Sequence, residues 1–186
     1  KEKKELDIKV KNFLSELQNK DIKFVTGGSY AKDTFLRDEL DIDIFARFNY
    51  SNYRYLDISN ELKKFLKSRS IKFKIVHGSR DYYHVERDGL NFEIVPVLKI
   101  RKTSQAQNIM DISPLHTKFV KRKTNNRLRN EIRLLKQFCK ANELYGAESY
   151  IRGFSGYDLE LLMIYYRSFE NLIKNTRYWK DRQVIH

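Results

Sequence analysis

The sequence contains little of what marks disulfide-linked, fibrous or membrane proteins. Among its 186 residues are one cysteine, two prolines and seven glycines. A lone Cys139 excludes a disulfide scaffold and a zinc site built from several thiolates. No uninterrupted apolar run approaches the roughly 18 residues of a membrane-spanning helix. The first residues (KEKK) do not resemble a signal peptide, so we expect no membrane association and a cytoplasmic location.

Charge is abundant and unevenly distributed. Lys and Arg number 37 against 24 Asp and Glu, a formal net charge of +13. Residues 99–140 contain 12 basic and 2 acidic side chains, so this segment alone contributes +10. Such a block is typical either of a solubilising surface or of a surface that binds phosphates. We favour the second, and expect a polyanion as partner, because a candidate active site precedes the block.

The periodicity of apolar residues predicts an α+β fold in two regions. A hydrophobic fraction of 41% excludes intrinsic disorder. Residues 1–98 predict a small, mixed, antiparallel-rich sheet with helices packed on one face, and residues 99–186 a basic, mainly helical neck. The predicted strands are 22–25, 41–45, 71–76, 82–87 and 90–98, and the predicted helices of the first region are 1–20 and 53–69.

Three acidic residues form the candidate catalytic centre. Asp41 and Asp43 lie on one face of a predicted strand, an arrangement that is costly unless a cation or a proton separates the carboxylates. Mg²⁺ suits such oxygen ligands, although a solvated strand face gives the same pattern. Glu93 is a charged residue inside an apolar strand, and such residues are rarely buried without a partner. If its strand lies beside residues 41–45, Glu93 adds a third carboxylate.

A glycine-containing turn precedes the first two carboxylates. Gly27, Gly28 and Ser29 follow a predicted strand, where backbone N–H groups and a hydroxyl can approach a phosphate. An ordinary strand-to-helix turn has the same composition. No Gly-Lys-Ser/Thr follows, which excludes a Walker loop, and there is no dinucleotide fingerprint. Carboxylates that bind two divalent ions beside a phosphate-binding turn favour nucleotidyl transfer.

An ordered series of motifs resembles a known family. Residues 28–36 (GSYAKDTFL), followed by Asp41-Ile42-Asp43, resemble the signature of the DNA polymerase β-like nucleotidyltransferase superfamily. A narrower resemblance, to the archaeal (class I) CCA-adding enzymes, is very specific and covers residues 24–186. It rests on FEIVP at 92–96, SPLHT at 113–117, EIRLLK at 131–136, LYGAE at 144–148, RGFSGY at 152–157, and ELL at 160–162 with RSF at 167–169.

The resemblance implies a role for each matching residue. The metal-binding, catalytic carboxylates would be Asp41, Asp43 and Glu93. The triphosphate of the incoming nucleotide would lie against Gly28, Ser29 and Lys32. The nucleotide pocket would be completed by His116, Lys136 and Tyr145. Taken without the family, the last three residues have structural explanations, as a polar residue near a helix start, part of a solvated helix face, and core packing.

The sequence departs from the family in three ways. Glu93 stands where Asp is more common, which adds one methylene. Lys32 stands where Arg is common, which replaces a bidentate fork by a point charge. The sequence stops at residues 181–186 (DRQVIH), where members of the family continue into domains that bind tRNA. We therefore expect a catalytic head (1–98) and an incomplete neck (99–186).

The function that the resemblance implies is template-independent addition of CMP and AMP to the 3′ end of tRNA, from CTP and ATP, with two Mg²⁺ ions. The missing domains would lie either on a second polypeptide or on the remainder of a longer protein of which this sequence is a part. The alternatives are a nucleotidyltransferase with another acceptor and a non-catalytic RNA-binding subunit. All three carboxylates are present, which argues against loss of activity.

Overall fold

The computed structural model describes residues 2–37, 41–147 and 151–185, and it divides into two compact units. Unit 1 contains the described residues of Lys1–Lys32 and Asp38–Thr117, and unit 2 contains Asp33–Arg37 and the described residues of Lys118–His186. The main chain passes from unit 1 to unit 2 after Thr117. The charge distribution and the apolar periodicity predict the boundary between head and neck near residue 98.

Unit 1 is built on a five-stranded mixed sheet. Its strands are β1 (Ile22–Thr26), β2 (Asp41–Asn49), β3 (Lys74–Val76), β4 (Tyr82–Arg87) and β5 (Leu90–Lys99). The order across the sheet is β1-β2-β5-β4-β3. Strands β2 and β5 are parallel, and the other three pairs are antiparallel. The predicted sheet is confirmed, as is the placement of the 90–98 strand beside residues 41–45.

Strand β2, the second strand of the sheet, has one buried apolar face and one mostly polar face. Ile42, Ile44 and Phe48 are fully buried, and they alternate with residues that point to the opposite side. That opposite side includes Asp41 and Asp43 at the beginning of the strand. The alternation that predicted the strand therefore also separates the core from the candidate site.

The helices of unit 1 cover the apolar face of the sheet. They are α1 (Glu2–Glu16), α2 (Gly28–Lys32), α3 (Tyr50–Tyr53) and α4 (Ile58–Ser68). Apolar residues of α1 and α4 join one core with the inward residues of the strands. The Phe13 ring of α1, for example, lies 4.4 Å from the Phe92 ring of β5, centroid to centroid.

Several predicted elements have wrong boundaries. The helix predicted over 1–20 ends at Glu16, and the strand predicted over 41–45 continues to Asn49. The helix predicted over 53–69 is broken, because the Asp57 side chain accepts hydrogen bonds from the backbone N–H groups of Ser59 and Asn60 and begins α4 as a new helix. The strand predicted over 71–76 begins only at Lys74, where pairing with β4 starts.

A smaller apolar cluster lies on the opposite face of the sheet. Phe45, Val95 and Val97 are buried there, with Met110 packed against them. Met110 belongs to a short 3-10 turn, Ile109–Ile112. The fully buried Asp111 fixes this turn, since its carboxylate accepts from the Leu98 N–H at 2.8 Å and from Arg80 Nη1 at 2.6 Å.

Unit 2 is helical around its own core. Helix α5 (Ser113–Lys123) crosses the division, and α6 (Asn126–Ala141), α7 (Gly156–Tyr166) and α8 (Phe169–Thr176) follow. Cys139 is 3% exposed in this core, as predicted, and burial raises the pKa of its thiol. Within the described part of the chain, no helix is both long and apolar enough to cross a membrane.

Candidate active site

The parallel pairing of β2 with β5 brings carboxylates of the two strands together. Asp43 and Glu93 are directly paired in the register, and Asp41 is paired with Asn91. Residues 41 and 43 share a strand face, and Glu93 lies on the same face of the neighbouring strand, opposite to the buried Phe92 and Ile94. Two separate sequence motifs thus meet at one end of the sheet.

The carboxylates of Asp41 and Asp43 act electrostatically on Glu93. Burial raises the pKa of Glu93 to about 7, and the negative charges of Asp43 and then Asp41 add to the shift. The pKa of Tyr82 on β4 is also raised, first by burial and then by Glu93, Asp41 and Asp43. Three acidic groups therefore share a partly desolvated region, where a bound cation would relieve their repulsion.

The glycine turn packs directly against Asp43. The N–H of Gly27 donates to the Asp43 carbonyl oxygen at 2.8 Å. Gly28 begins α2 with φ of +53°, and a Cβ atom built on it would overlap the Asp43 carboxylate oxygen Oδ2. Only glycine combines this backbone angle with this close approach. Ser29 lies in the first turn of α2, and Lys32, 8% exposed, ends the helix.

The remaining predicted site residues lie on α5 and in unit 2. His116 is partly buried in the first half of α5. Lys136 is on α6, and Tyr145 follows that helix, forming an isolated bridge with Phe154. Lys136 and Tyr145 both lie beside Gly156. A Cβ atom added to Gly156 would be 3.6 Å from Lys136 Nζ and 3.0 Å from the Tyr145 hydroxyl oxygen, so the two side chains are neighbours. Glu148 of the LYGAE motif lies outside the described residues.

A buried polar network surrounds Lys136. Its ammonium donates to the Thr34 carbonyl oxygen at 3.1 Å and lies 3.6 Å from Glu160 Oε1. The Thr34 hydroxyl donates to the same Glu160 oxygen at 2.6 Å. Thr34 and Glu160 are fully buried, so Lys136 is not part of a solvated helix face. Sequence reasoning missed Thr34 and Glu160, although Glu160 is a charged residue in an otherwise apolar stretch of α7, the same signal that identified Glu93.

The carboxylate set suits a divalent ion in composition. Asp41, Asp43 and Glu93 offer hard oxygen donors, and burial, followed by the charges of Asp43 and Asp41, raises the pKa of Glu93. Within residues 2–37, 41–147 and 151–185, no three His, Cys, Asp or Glu side chains are already arranged as a group that could hold a metal ion. The three carboxylates therefore supply donors of the chemical type that a divalent ion prefers.

Family comparisons match both parts of the chain. Residues 8–116 match the model of the nucleotidyltransferase domain, and residues 130–186 match that of the second domain of tRNA nucleotidyltransferases. The first match alone covers more than half of the chain. The chain belongs to the nucleotidyltransferase family. Nucleotidyltransferases of this family use divalent metal ions, which agrees with the composition of the carboxylate set.

Curated relatives of this nucleotidyltransferase confirm the narrower resemblance. The chain is 42% identical to the CCA-adding enzyme of Nanoarchaeum equitans over 159 residues, which cover 86% of this chain and 40% of the relative. It is 36% identical to that of Archaeoglobus fulgidus over 166 residues, which cover 88% and 37%. The chain thus spans about two fifths of the length of these relatives.

Solved structures support the fold of the nucleotidyltransferase. A cytoplasmic RNA terminal U-transferase superposes with a TM-score of 0.58 at 18% identity, covering 88% of this chain and 46% of the other. A Cid1 structure, described as an RNA terminal uridylyl transferase, gives 0.60 at 18% identity, covering 88% and 47%. At this identity the likeness concerns the fold.

Proposed function

We propose that this nucleotidyltransferase adds CMP and AMP, from CTP and ATP, to the 3′ end of tRNA without a template. The observation that carries the proposal is the register pairing Asp43 with Glu93 beside Gly28. It supplies a site for nucleotidyl transfer in a chain whose second part matches a tRNA nucleotidyltransferase domain. The names of the curated relatives support the C-C-A product.

The reaction joins the 3′ oxygen of tRNA to the α-phosphorus of the nucleotide. The bond from that phosphorus to the oxygen bridging to the β-phosphate breaks, pyrophosphate leaves, and the 3′ hydroxyl loses its proton. Asp41, Asp43 and Glu93 would hold two Mg²⁺ ions. Bound there, the ions would lower the pKa of the attacking hydroxyl and neutralise charge on the pyrophosphate.

The other predicted residues would position the nucleotide. Gly28, Ser29 and Lys32 of α2 would contact the triphosphate. Lys136, held by Glu160, and Tyr145 would line the nucleotide pocket together with His116. The contacts of Lys136 with Thr34 and Glu160 hold its side chain in one orientation beside Tyr145.

The proposal also includes a surface that contacts the RNA and a source for the domains that the relatives have in addition. The +10 segment of residues 99–140 would contact the acceptor end of tRNA, and it includes the exposed Lys121, Arg122 and Lys123 at the end of α5. The relatives' remaining length would be supplied by a second polypeptide or by more of the same protein. We place the reaction in the cytoplasm.

Labelled-nucleotide incorporation tests the proposal. The chain is incubated with Mg²⁺ and labelled CTP, ATP or UTP, and with one of three acceptors: tRNA lacking its C-C-A end, tRNA ending in C-C-A, or an unrelated single-stranded RNA. We expect CTP and then ATP to enter only the tRNA that lacks C-C-A. Equal labelling of all acceptors, or labelling by UTP alone, would establish a nucleotidyltransferase with another acceptor. No labelling of any acceptor would indicate a non-catalytic RNA-binding subunit.

Glu93→Gln should reduce turnover far more than folding stability. The amide keeps the shape of the side chain but removes a charge that burial and the neighbouring Asp43 disfavour, so the free energy of unfolding should stay the same or rise. Turnover should fall on the order of a hundredfold or more, the scale for loss of one group that stabilises the transition state. Chemical unfolding and single-turnover incorporation measure the two quantities. Equal losses in both would make Glu93 a structural residue.

Gly28→Ala should lower activity by displacing Asp43, and a control with the same backbone strain shows that strain alone does not cause the loss. The new Cβ would overlap the Asp43 carboxylate, so incorporation should fall at least about tenfold, the scale on which misplaced catalytic groups act. Gly89→Ala is the matched control, because Gly89 also has positive φ (+74°) but has nothing within 4 Å of the added atom. Both variants should lose about 1–2 kcal/mol of stability from the left-handed backbone. Full activity of Gly28→Ala would contradict the assigned position of Asp43.

A further inference from the structure

A positively charged cavity lies in unit 1, apart from the acidic candidate site. Its volume is about 610 Å³, and it lies where the end of α1, the beginning of β1 and the ends of β2 and β5 meet. Five of its lining residues are Lys or Arg, and Asp21 is the one acid among them. The basic residues are Lys11, Lys20, Lys23, Arg47 and Lys99. Such an excess of one charge sign in a concave site attracts anions.

Three of these cations occupy adjacent strands on one face of the sheet. Lys23 of β1 is directly paired with Arg47 of β2, and Lys99 of β5 is paired with Asn49, two residues further along β2. By the alternation of each strand, all three side chains lie on the face opposite the main core. Like charges at directly opposed positions destabilise a sheet, so the arrangement has a cost that needs a compensating partner.

Arg47 lacks such a partner. Its Nε atom is buried without any hydrogen-bond acceptor, and burial lowers the pKa of its guanidinium. In the part of the chain that the structure describes, Lys23, Arg47 and Lys99 form no ion pair. A buried donor left without an acceptor destabilises the fold. An anion bound to the guanidinium would offset this cost.

The basic cavity is separate from the carboxylate site. Arg47 follows Asp43 by four residues on the same strand face, or about 13 Å along the strand. Between them lies Phe45, 3% exposed, packed with Val95 and Val97 under the turn that contains Met110. None of the three carboxylates lines the cavity, so the two positions are separate sites.

We propose that Lys23, Arg47 and Lys99 form a second site that binds backbone phosphates of RNA. The arginine fork matches a phosphate group, and the exposed Lys23 and Lys99 would contact phosphates on either side of it. A cavity of this volume exceeds what a single phosphate fills, which favours a segment of a polyanion. The choice of RNA rests on the RNA acceptor of the proposed function.

The test measures RNA binding rather than catalysis, so it succeeds or fails independently of nucleotide incorporation. A short fluorescein-labelled single-stranded oligoribonucleotide is titrated with the full chain in EDTA, without nucleotide, over a series of salt concentrations. The variant is Lys23→Gln/Arg47→Gln/Lys99→Gln. The matched control, Lys4→Gln/Lys67→Gln/Lys72→Gln, removes three exposed charges that do not line the cavity.

We expect the cavity variant to bind at least about tenfold more weakly, and the slope of log K against log salt to fall by about 2, since each contact with a single strand contributes about 0.7. The control variant should change both the affinity and the salt slope by less than the cavity variant does. If the cavity variant does not fold, Lys23→Gln/Lys99→Gln keeps the half-buried Arg47 and should lose two contacts.

Two results would overturn the inference. Equal weakening by the cavity and control variants would mean that RNA is bound by diffuse charge. A wild-type chain that binds inorganic phosphate more tightly than the oligoribonucleotide, with loss of that binding in the cavity variant, would assign the cavity to a free phosphate.

Discussion

Asp41→Asn/Asp43→Asn should lower nucleotide incorporation by about a thousandfold or more and leave the chain folded. Both substitutions preserve side-chain volume, and they remove two of the three negative charges that meet at the end of β2 and β5. Loss of a single electrostatic contact to the transition state costs about 10²–10³ in rate, and the two carboxylates act on the same centre. The free energy of unfolding should not fall, because mutual repulsion near Glu93 is relieved.

The control for this pair is Asp88→Asn. Asp88 is exposed in the turn between β4 and β5, with φ of +52°, a backbone angle that Asn tolerates. It removes an acidic charge from the same unit without touching the site and should leave incorporation unchanged. Incorporation that survives the double substitution, or that falls equally with the control, would show that these carboxylates do not carry the reaction.

Glu160→Leu should strongly destabilise unit 2. Glu160 is fully buried, and its carboxylate lies 3.6 Å from the ammonium of Lys136, whose side chain is 3% exposed. Removing one partner of a buried ion pair leaves the other charge uncompensated, at a cost of about 3–5 kcal/mol. Thr34 would also lose the acceptor of its hydroxyl. Trp179, the single tryptophan, packs against the unit 2 core and can report its unfolding.

Two further variants show whether the charge pair causes the loss. Glu160→Leu/Lys136→Met replaces both charges by apolar groups and should recover most of the stability, as buried pairs often allow. It should nevertheless fail to incorporate nucleotide, because the proposed nucleotide pocket has lost Lys136. Glu170→Ala removes the carboxylate of the exposed pair with Lys174 and should not measurably change stability. If Glu160→Leu is as stable as the parent, the network does not hold Lys136.

Much of the candidate site could be predicted from sequence because its signals are local. The alternation of polar and apolar residues around Asp41 and Asp43 predicts that both carboxylates lie on one face of a strand. A charged residue inside an apolar strand identifies Glu93 as a candidate site residue. Gly28 could be recognised as part of a phosphate-binding turn, but the reason for the glycine, the proximity of the Asp43 carboxylate, requires the packed structure.

The rest depends on contacts between distant parts of the chain. Lys136 and Glu160 meet Thr34 across 102 and 126 residues of sequence, and no periodic pattern encodes such pairing. The basic cavity was missed for the same reason, since Lys23, Arg47 and Lys99 become neighbours only through the strand order. The break before α4 was recognisable, because Asp57 directly before an apolar helix face is a helix start signal.

The most direct test of the central claim is the sequence of nucleotides added to tRNA. The chain is incubated with a tRNA transcript lacking C-C-A, together with CTP, ATP, UTP, GTP and Mg²⁺, and the 3′-terminal fragment is weighed by mass spectrometry. The account predicts a gain of two CMP and one AMP and no further growth, and no gain with Asp41→Asn/Asp43→Asn. An unextended tRNA, or a tail of another composition, would contradict it.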